Sequence, residues 1–250
     1  MQPAVTIRVF ESCHDLSRAA AERIVRLANE AVERRGRFVL ALAGGTTPRH
    51  TYESLADAPL RAEVPWADVH VCWGDERMVP ATDAASNYRM AYEALLKFVD
   101  VPAIQVHRVP TDCGAPERVA RTYAATLHDV FASTEGNVPS FDLLLLGMGA
   151  DGHTASLFPG SAAIDERERI VVAPAEVVDG VRRITITPPV IEHAREIMVL
   201  ATGAEKAAAL RAVLDGPSDP HRYPAQLLRR AQGAVTWFVS HPTKEFTRCT

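Results

Sequence analysis

A histidine and an aspartate in a glycine-rich run are the residues of this sequence best suited to acid–base chemistry. The run extends from Gly147 to Thr154, and within it His153 follows Asp151 by two residues. Imidazole exchanges its proton near neutral pH, so a histidine in such a loop is a candidate general base. Asp151 could orient the imidazole or set the shape of the loop. Both are therefore candidate catalytic residues.

The same run also matches a dinucleotide-binding pattern. Gly147, Gly149 and Gly152 fit G-x-G-x-x-G directly after an apolar segment. The match is weak, because the run lies in mid-chain and because His153 and Thr154 occupy positions where a nucleotide-binding fold requires small residues. We therefore favour acid–base chemistry over nicotinamide chemistry for this loop.

A second glycine-rich segment has the composition of an anion-binding loop. Gly44, Gly45 and Thr46 lie between an apolar run and Pro48, a residue that suits the first turn of a helix. Glycine lets a ligand approach the backbone, and the free N–H groups of a helix N-terminus favour an anion. The spacing of a P-loop is missing, so the alternative is a plain tight turn.

Two basic residues stand after separate apolar runs, and either could bind a phosphate group. Arg77 closes the segment Gly74–Arg77, and its planar guanidinium can donate two parallel hydrogen bonds. Lys206 is one of three lysines among the 27 basic residues, and its point charge also suits a phosphate. The alternatives are a solvated turn for Arg77 and a helix-surface position for Lys206.

Asp75 lies in the same segment as Arg77 and has two interpretations. Its carboxylate could be a second acid–base group. It could equally be the structural partner of a basic residue. The sequence leaves both open.

Strands and helices alternate along the chain, and this order determines where these residues can meet. Apolar runs predict strands at Val5–Phe10, Phe38–Ala43, Val69–Trp73, Phe141–Leu146, Ile170–Ala173, Arg183–Thr187, Glu196–Ala201 and Ala234–Val239. Helical spacing predicts helices at Leu16–Arg34, Arg49–Ala56, Asn87–Val99, Pro116–Ala132 and Pro224–Ala231, and another that follows Lys206 and ends at Leu214. The order predicts an α/β fold: a mainly parallel, doubly wound Rossmann-like sheet with helices on both faces, in a single domain of residues 1–250.

Four polar or glycine-rich loops follow predicted strands. They begin at Gly44, Gly74, Gly147 and Gly203. In open α/β sheets, ligands bind beyond the carboxyl ends of the strands. We therefore expect the four loops to form one site.

Composition excludes several classes of function. The 250 residues are 47% apolar and 23% charged, as expected of a globular protein with an ordinary core. A net charge of -4 gives no overall attraction to nucleic acid or an anionic membrane. No apolar run reaches the roughly 18 residues of a membrane span, and none at the start resembles a signal peptide. We expect a cytoplasmic protein that binds neither nucleic acid nor membrane.

Metal and nucleophile motifs are not indicated either. The four cysteines are scattered without a C-x-x-C pair, and no histidines have H-E-x-x-H spacing. The nucleophile elbow G-x-S-x-G is also missing. The sequence therefore predicts no metal site.

Taken together, the loop motifs resemble the 6-phosphogluconolactonase family. The matching segments occur in the family's order and are AGGTTP from Ala43, WGDERMVP from Trp73, SNYRMA from Ser86, GMGADGHTASLFPG from Gly147, RRITITPPVI from Arg182 and TGAEKA from Thr202. The resemblance implies hydrolysis of 6-phospho-D-glucono-1,5-lactone to 6-phospho-D-gluconate in the oxidative pentose phosphate pathway. It implies no metal, no organic cofactor and a fold shared with glucosamine-6-phosphate deaminase.

The resemblance also assigns roles to individual residues. It implies that His153 is the catalytic base, and that Arg77 and Lys206 bind the substrate phosphate together with Gly44, Gly45 and Thr46. The hypothesis for the mechanism is that neutral His153 takes a proton from the attacking water and returns it to the departing ring oxygen. The partner is then a small sugar-phosphate lactone, and the chain is a monomer or homodimer.

Two positions depart from the family pattern. Ala43 stands where the family usually has a small hydroxyl residue, which removes one potential phosphate contact. The tail after Trp237, which reads FVSHPTKEF, lacks the acidic residue that the resemblance leads us to expect there.

Two rival functions remain. An isomerase or deaminase of the same fold would use Asp75 as a base on a carbon-bound proton, but its relatives continue differently after the glycine–histidine segment and follow Asp-Glu with an aromatic residue instead of Arg77. A non-catalytic sugar-phosphate sensor would keep Arg77 and Lys206 but would not need His153. It would usually be joined to a DNA-binding module, for which the residues before Val5 leave no room.

Overall fold

The structure, a computed structural model, describes residues 5–134 and 136–240. Its strands are β1 (Val5–Phe10), β2 (Phe38–Leu42), β3 (Val69–Trp73), β4 (Asp75–Arg77), β5 (Leu143–Gly147), β6 (Val171–Val172), β7 (Arg183–Ile186), β8 (Glu196–Thr202) and β9 (Ala234–Ser240). Its α-helices are α1 (Cys13–Arg35), α2 (Thr46–Ala56), α3 (Leu60–Glu63), α4 (Asn87–Ala94), α5 (Pro116–Phe131), α6 (Pro188–His193) and α7 (Ala207–Asp215). None of these helices has both the length and the hydrophobicity required to cross a membrane.

Six strands form one parallel sheet in the order β1-β9-β8-β5-β2-β3. Every residue of β2 is buried, as are most residues of β5 and β8, so both faces of these central strands are covered. A strand covered on both faces needs apolar side chains at every position, which explains the continuous apolar runs in the sequence. The predicted α/β fold with a mainly parallel, flanked sheet is confirmed.

A second, smaller sheet was not predicted. It has the order β4-β7-β6 and is antiparallel. The segment Gly74–Arg77, expected to be a loop, contains β4, which pairs with β7. It is joined to the main sheet at Gly74, whose N–H donates to the carbonyl of Leu42 and whose carbonyl accepts from the N–H of Ile186. A three-residue strand is too short to show an alternating pattern, which is why the sequence did not reveal it.

Helix ends differ from the predictions at a few places. α2 begins at Thr46, three residues early, because Gly45 takes a positive φ of 103° that starts the helix directly after the glycines. α4 ends at Ala94, since the backbone of Leu95 leaves the helical region. The segment Pro224–Arg230, predicted as an α-helix, is a 3-10 helix.

Two predictions are not tested by the structure. The first concerns the acidic residue expected in the tail after Trp237, most of which lies outside the described residues. The assignment of all 250 residues to a single domain also stays a prediction.

Candidate active site

The carboxyl ends of β2, β5 and β8 open into a cavity of about 270 Å³, which the small antiparallel sheet borders on one side. Seven of the eight residues predicted from the sequence line it, namely Gly44, Gly45, Thr46, Asp75, Arg77, His153 and Lys206. The eighth, Asp151, lies outside the lining and contacts the ring of His153. The expectation that these loops meet at one place is therefore met in the geometry.

His153 is held from two sides. Its Nδ1 lies 2.7 Å from Oδ1 of Asp151, and its ring centroid lies 4.6 Å from that of Phe158. The carboxylate accepts from Nδ1–H, so neutral imidazole carries its proton on Nδ1 and leaves Nε2 free to accept one. The backbone N–H of His153 also donates to Oδ1 of Asp151 at 3.1 Å. Asp151 thus orients the ring and shapes the loop at once.

Gly149 makes this arrangement possible because it has no side chain. A Cβ at this position would lie 2.2 Å from Nδ1 of His153 and 2.6 Å from Oδ1 of Asp151. Any larger residue must therefore displace the imidazole or its carboxylate partner.

We expect Gly149→Ala to lower kcat by about 10²-fold, because a displacement of about 1 Å at a reacting group has that effect. The matched control is Gly147→Ala, which adds the same methyl group to the same loop at a position on the cavity wall where it would meet no other residue within 4 Å. Steady-state kinetics of the two variants measure the difference. Equal values of kcat for both variants would contradict the steric explanation.

Two arginines face each other across the small sheet. Arg77 of β4 is the direct register partner of Arg183 of β7, and both line the cavity. Like charges opposite each other in an antiparallel pair are destabilising. Nη1 of Arg77 donates to the carbonyl of Ala85, while its Nε is buried and has no partner among the described residues. The pair therefore places two positive charges beside each other at the cavity.

The electrostatics of the cavity follow from this excess of cations. Arg183 is only 7% exposed, and burial together with the neighbouring Arg77 lowers its pKa. Burial likewise lowers the pKa of Lys206, and the nearby Glu205 offsets this only in part. The carboxylates of Asp75, Asp179 and Glu76 offset part of this effect on Arg183, and the exposed Asp179 forms an ion pair with it at 3.6 Å. A bound dianion would relieve the repulsion among these groups.

Both carboxylate oxygens of Asp75 accept a hydrogen bond. Oδ2 accepts the hydroxyl of Ser156 at 2.6 Å, and Oδ1 accepts from Nδ2 of Asn87 at 3.3 Å. Asn87 Nδ2 also donates to the Asp75 carbonyl at 2.9 Å. These contacts favour the structural interpretation of Asp75 over that of a second acid–base group, although they leave it on the cavity wall.

The Gly44 loop brings backbone N–H groups to the cavity. α2 begins at Thr46, and no side chain caps its N-terminus. The N–H groups of its first turn therefore donate to no capping side chain. Gly44 permits close packing, since a Cβ there would lie 2.0 Å from Oδ1 of Asn87. The buried hydroxyls of Thr47 and Thr202 are 2.6 Å apart and connect the loop to the end of β8.

The sequence analysis missed four residues of this site: Arg183, Asp179, Asn87 and Ser156. Arg183, Asn87 and Ser156 fall inside segments that carry the family resemblance. That resemblance was the signal by which the sequence analysis could have found them. Asp179 lies in a two-residue turn with Gly180, where both residues have positive φ, between the paired Val178 and Val181. An Asp-Gly pair between apolar residues indicates such a turn.

Comparison with known protein families identifies a match over most of the chain. A family model described as glucosamine-6-phosphate isomerases/6-phosphogluconolactonase matches residues 11–237. The chain is 41% identical to a 6-phosphogluconolactonase from Synechocystis over 219 residues, which cover 88% of each protein. It is 38% identical to a 6-phosphogluconolactonase from Nostoc over 234 residues, covering 94% of this chain and 95% of the relative.

A solved structure agrees with these sequence matches. The 6-phosphogluconolactonase from Trypanosoma brucei superposes with a TM-score of 0.82 at 34% identity, and the superposition covers 98% of both chains.

Proposed function

Because the chain belongs to the glucosamine-6-phosphate isomerase/6-phosphogluconolactonase family, we propose that it is a cytoplasmic enzyme that hydrolyses 6-phospho-D-glucono-1,5-lactone to 6-phospho-D-gluconate. The observation that carries the proposal is the convergence of one oriented imidazole and three cationic side chains, those of Arg77, Arg183 and Lys206, on a single cavity. The substrate combines a phosphate dianion with a lactone carbonyl, and the cavity offers a group for each end.

His153 acts as the base in this mechanism. With its proton held on Nδ1 by Asp151, Nε2 takes a proton from water as the water oxygen attacks C1 of the lactone. Collapse of the tetrahedral intermediate breaks the bond between C1 and the ring oxygen, and the imidazolium returns the proton to that oxygen. A lactone is an activated ester, so general acid–base help of about 10²–10⁴-fold suffices.

The cations that line the cavity bind the phosphate. Arg77 and Arg183 provide planar donors, and Lys206 adds a point charge. Their binding energy holds C1 near Nε2 of His153 without taking part in the bond that breaks. The N–H groups of Gly44, Gly45 and Thr46 supply further donors for an anionic oxygen.

The function is tested with purified protein and two substrates. Formation of 6-phosphogluconate, followed through an excess of its dehydrogenase, must exceed the spontaneous hydrolysis of the lactone. Release of ammonia from glucosamine 6-phosphate is measured in parallel. Ammonia release without lactone hydrolysis would replace the proposal by the deaminase alternative, and inactivity on both substrates would favour a sensor.

The carboxylate of Asp179 competes with the substrate phosphate for Arg183. It is highly exposed and lies 3.6 Å from Nη2 of that arginine, on the cavity wall. We expect Asp179→Asn to lower KM by about two- to fivefold with kcat unchanged, because an exposed ion pair is worth at most about 1 kcal/mol. Asparagine tolerates the positive φ of 53° at this position. An unchanged or higher KM in steady-state kinetics would show that Asp179 does not compete.

A further inference from the structure

A second polar cavity lies at the opposite edge of the parallel sheet. Arg37, Asp142 and Arg195 immediately precede β2, β5 and β8, which are adjacent in the sheet. The amino ends of neighbouring parallel strands share one edge, so these three side chains converge. Together with Arg35 at the end of α1 they line a cavity of about 260 Å³, called here the amino-edge cavity. The same three strands thus separate it from the cavity that His153 and Lys206 line at their carboxyl ends, called here the catalytic cavity.

The carboxylate of the amino-edge cavity, that of Asp142, is already engaged. The side chain is 7% exposed, and its Oδ2 accepts the N–H of Val39 at 2.8 Å. Its Oδ1 lies 2.8 Å from Nη2 of Arg35 and 3.5 Å from Nε of Arg195. Asp142 therefore ties the ends of two strands and one helix together.

Arg37 takes no part in that cluster. Its Nη1 donates to the carbonyl of Val130 at 2.9 Å, and no ion pair of Arg37 is present within residues 5–134 and 136–240. Three arginines and one aspartate line the cavity, so three positive charges and one negative charge leave a formal charge of +2. This excess occurs in a chain whose net charge is -4. Cations that converge without matching carboxylates repel one another, and a bound anion would relieve that repulsion.

We propose that the amino-edge cavity is a second anion site that binds a small phosphate monoester. A dianionic phosphate matches the excess charge, and guanidinium groups donate to phosphate oxygens through parallel N–H bonds. Phe131 and Val138 form an apolar part of the wall that suits the organic portion of an ester. The site is independent of the lactonase proposal, because it shares no residue with the catalytic cavity.

Amide chemical shifts test the proposal, with methyl phosphate as the probe. The amides of Val39 and Asp142 report the amino-edge cavity, and those of Gly44 and Gly45 report the catalytic cavity. We expect both groups to shift on titration, each with its own saturation curve. Arg37→Gln is expected to weaken saturation at Val39 and Asp142 by about 10-fold or more, the effect of losing a hydrogen bond to a charged group. The curves at Gly44 and Gly45 stay unchanged.

Arg34→Gln is the matched control, because it removes the same charge from an exposed position of α1 outside the cavity. It is expected to leave all four curves unchanged. Arg195→Gln, whose side chain is 53% exposed, serves as a second variant if Arg37→Gln fails to fold. Absence of shifts at Val39 and Asp142 in the wild-type protein, or saturation there that both variants leave intact, would overturn the proposal and leave the arginines a purely structural role.

Discussion

Replacing His153 by alanine is expected to lower kcat for lactone hydrolysis by about 10²–10⁴-fold, the full contribution of general acid–base catalysis. KM should stay within about threefold of the wild-type value, because the cations proposed to bind the phosphate remain in place. The reason lies in the geometry: Asp151 fixes the proton on Nδ1 and so leaves Nε2 as the acceptor. Steady-state kinetics corrected for spontaneous hydrolysis give both parameters.

Two further measurements show whether the loss is chemical. His14→Ala removes a histidine whose side chain is 78% exposed and which lies outside the cavity lining, so its kinetics should match the wild type. Free imidazole, added to His153→Ala, should restore part of kcat, because the substitution vacates the space of the ring. Near-normal kcat in His153→Ala would remove this residue from the role of base.

The catalytic half of the site was predictable because its signals are local. Glycines, a histidine and an aspartate within eight residues of Gly147–Thr154 predict a shaped loop, and the apolar run before it predicts a strand buried on both faces. Carboxyl ends of parallel strands meet at one edge, so the order of strands and helices was enough to bring Gly44, His153 and Lys206 together.

The position of Arg77 opposite Arg183 was not predictable from local patterns, because it depends on tertiary structure. β4 has three residues, and nothing in so short a run reveals its pairing with β7. Arg77 faces Arg183 because of the register of β4 and β7. That register depends on how the small sheet joins the main one. Similarly, Arg37 and Arg195 are far apart in the sequence, and only the sheet order makes them neighbours at the amino edge.

The second large predicted effect is on KM and arises from Arg183, which faces Arg77 across the small sheet. We expect Arg183→Met to raise KM by about 10- to 100-fold, because each hydrogen bond from a charged group to phosphate contributes about 1.5–3 kcal/mol. The effect on kcat should be smaller, since the proposed mechanism assigns Arg183 to the phosphate and not to the reacting carbonyl. Inorganic phosphate, tested as a competitive inhibitor, should lose affinity in parallel.

Arg182→Met is the matched control for this variant. Arg182 is the preceding residue, and its guanidinium contacts Glu117 at 2.8 Å and the carbonyls of Ala173 and Pro174 instead of the cavity. Its KM should stay close to the wild-type value. An unchanged KM in Arg183→Met would exclude Arg183 from phosphate binding, whatever the result for Arg182.

The stability of Arg183→Met separates a binding role from a structural one. The wild-type side chain is a buried cation opposite another cation, and both burial and that neighbour lower its pKa. Methionine has similar length and no charge, so without ligand we expect the free energy of unfolding to rise by about 1 kcal/mol or more. Phosphate should raise Tm more in the wild type than in the variant, because a ligand stabilises the folded state according to its affinity. If Arg183 merely supported the fold, Arg183→Met would lower the free energy of unfolding. Phosphate would then raise Tm equally in the wild type and the variant.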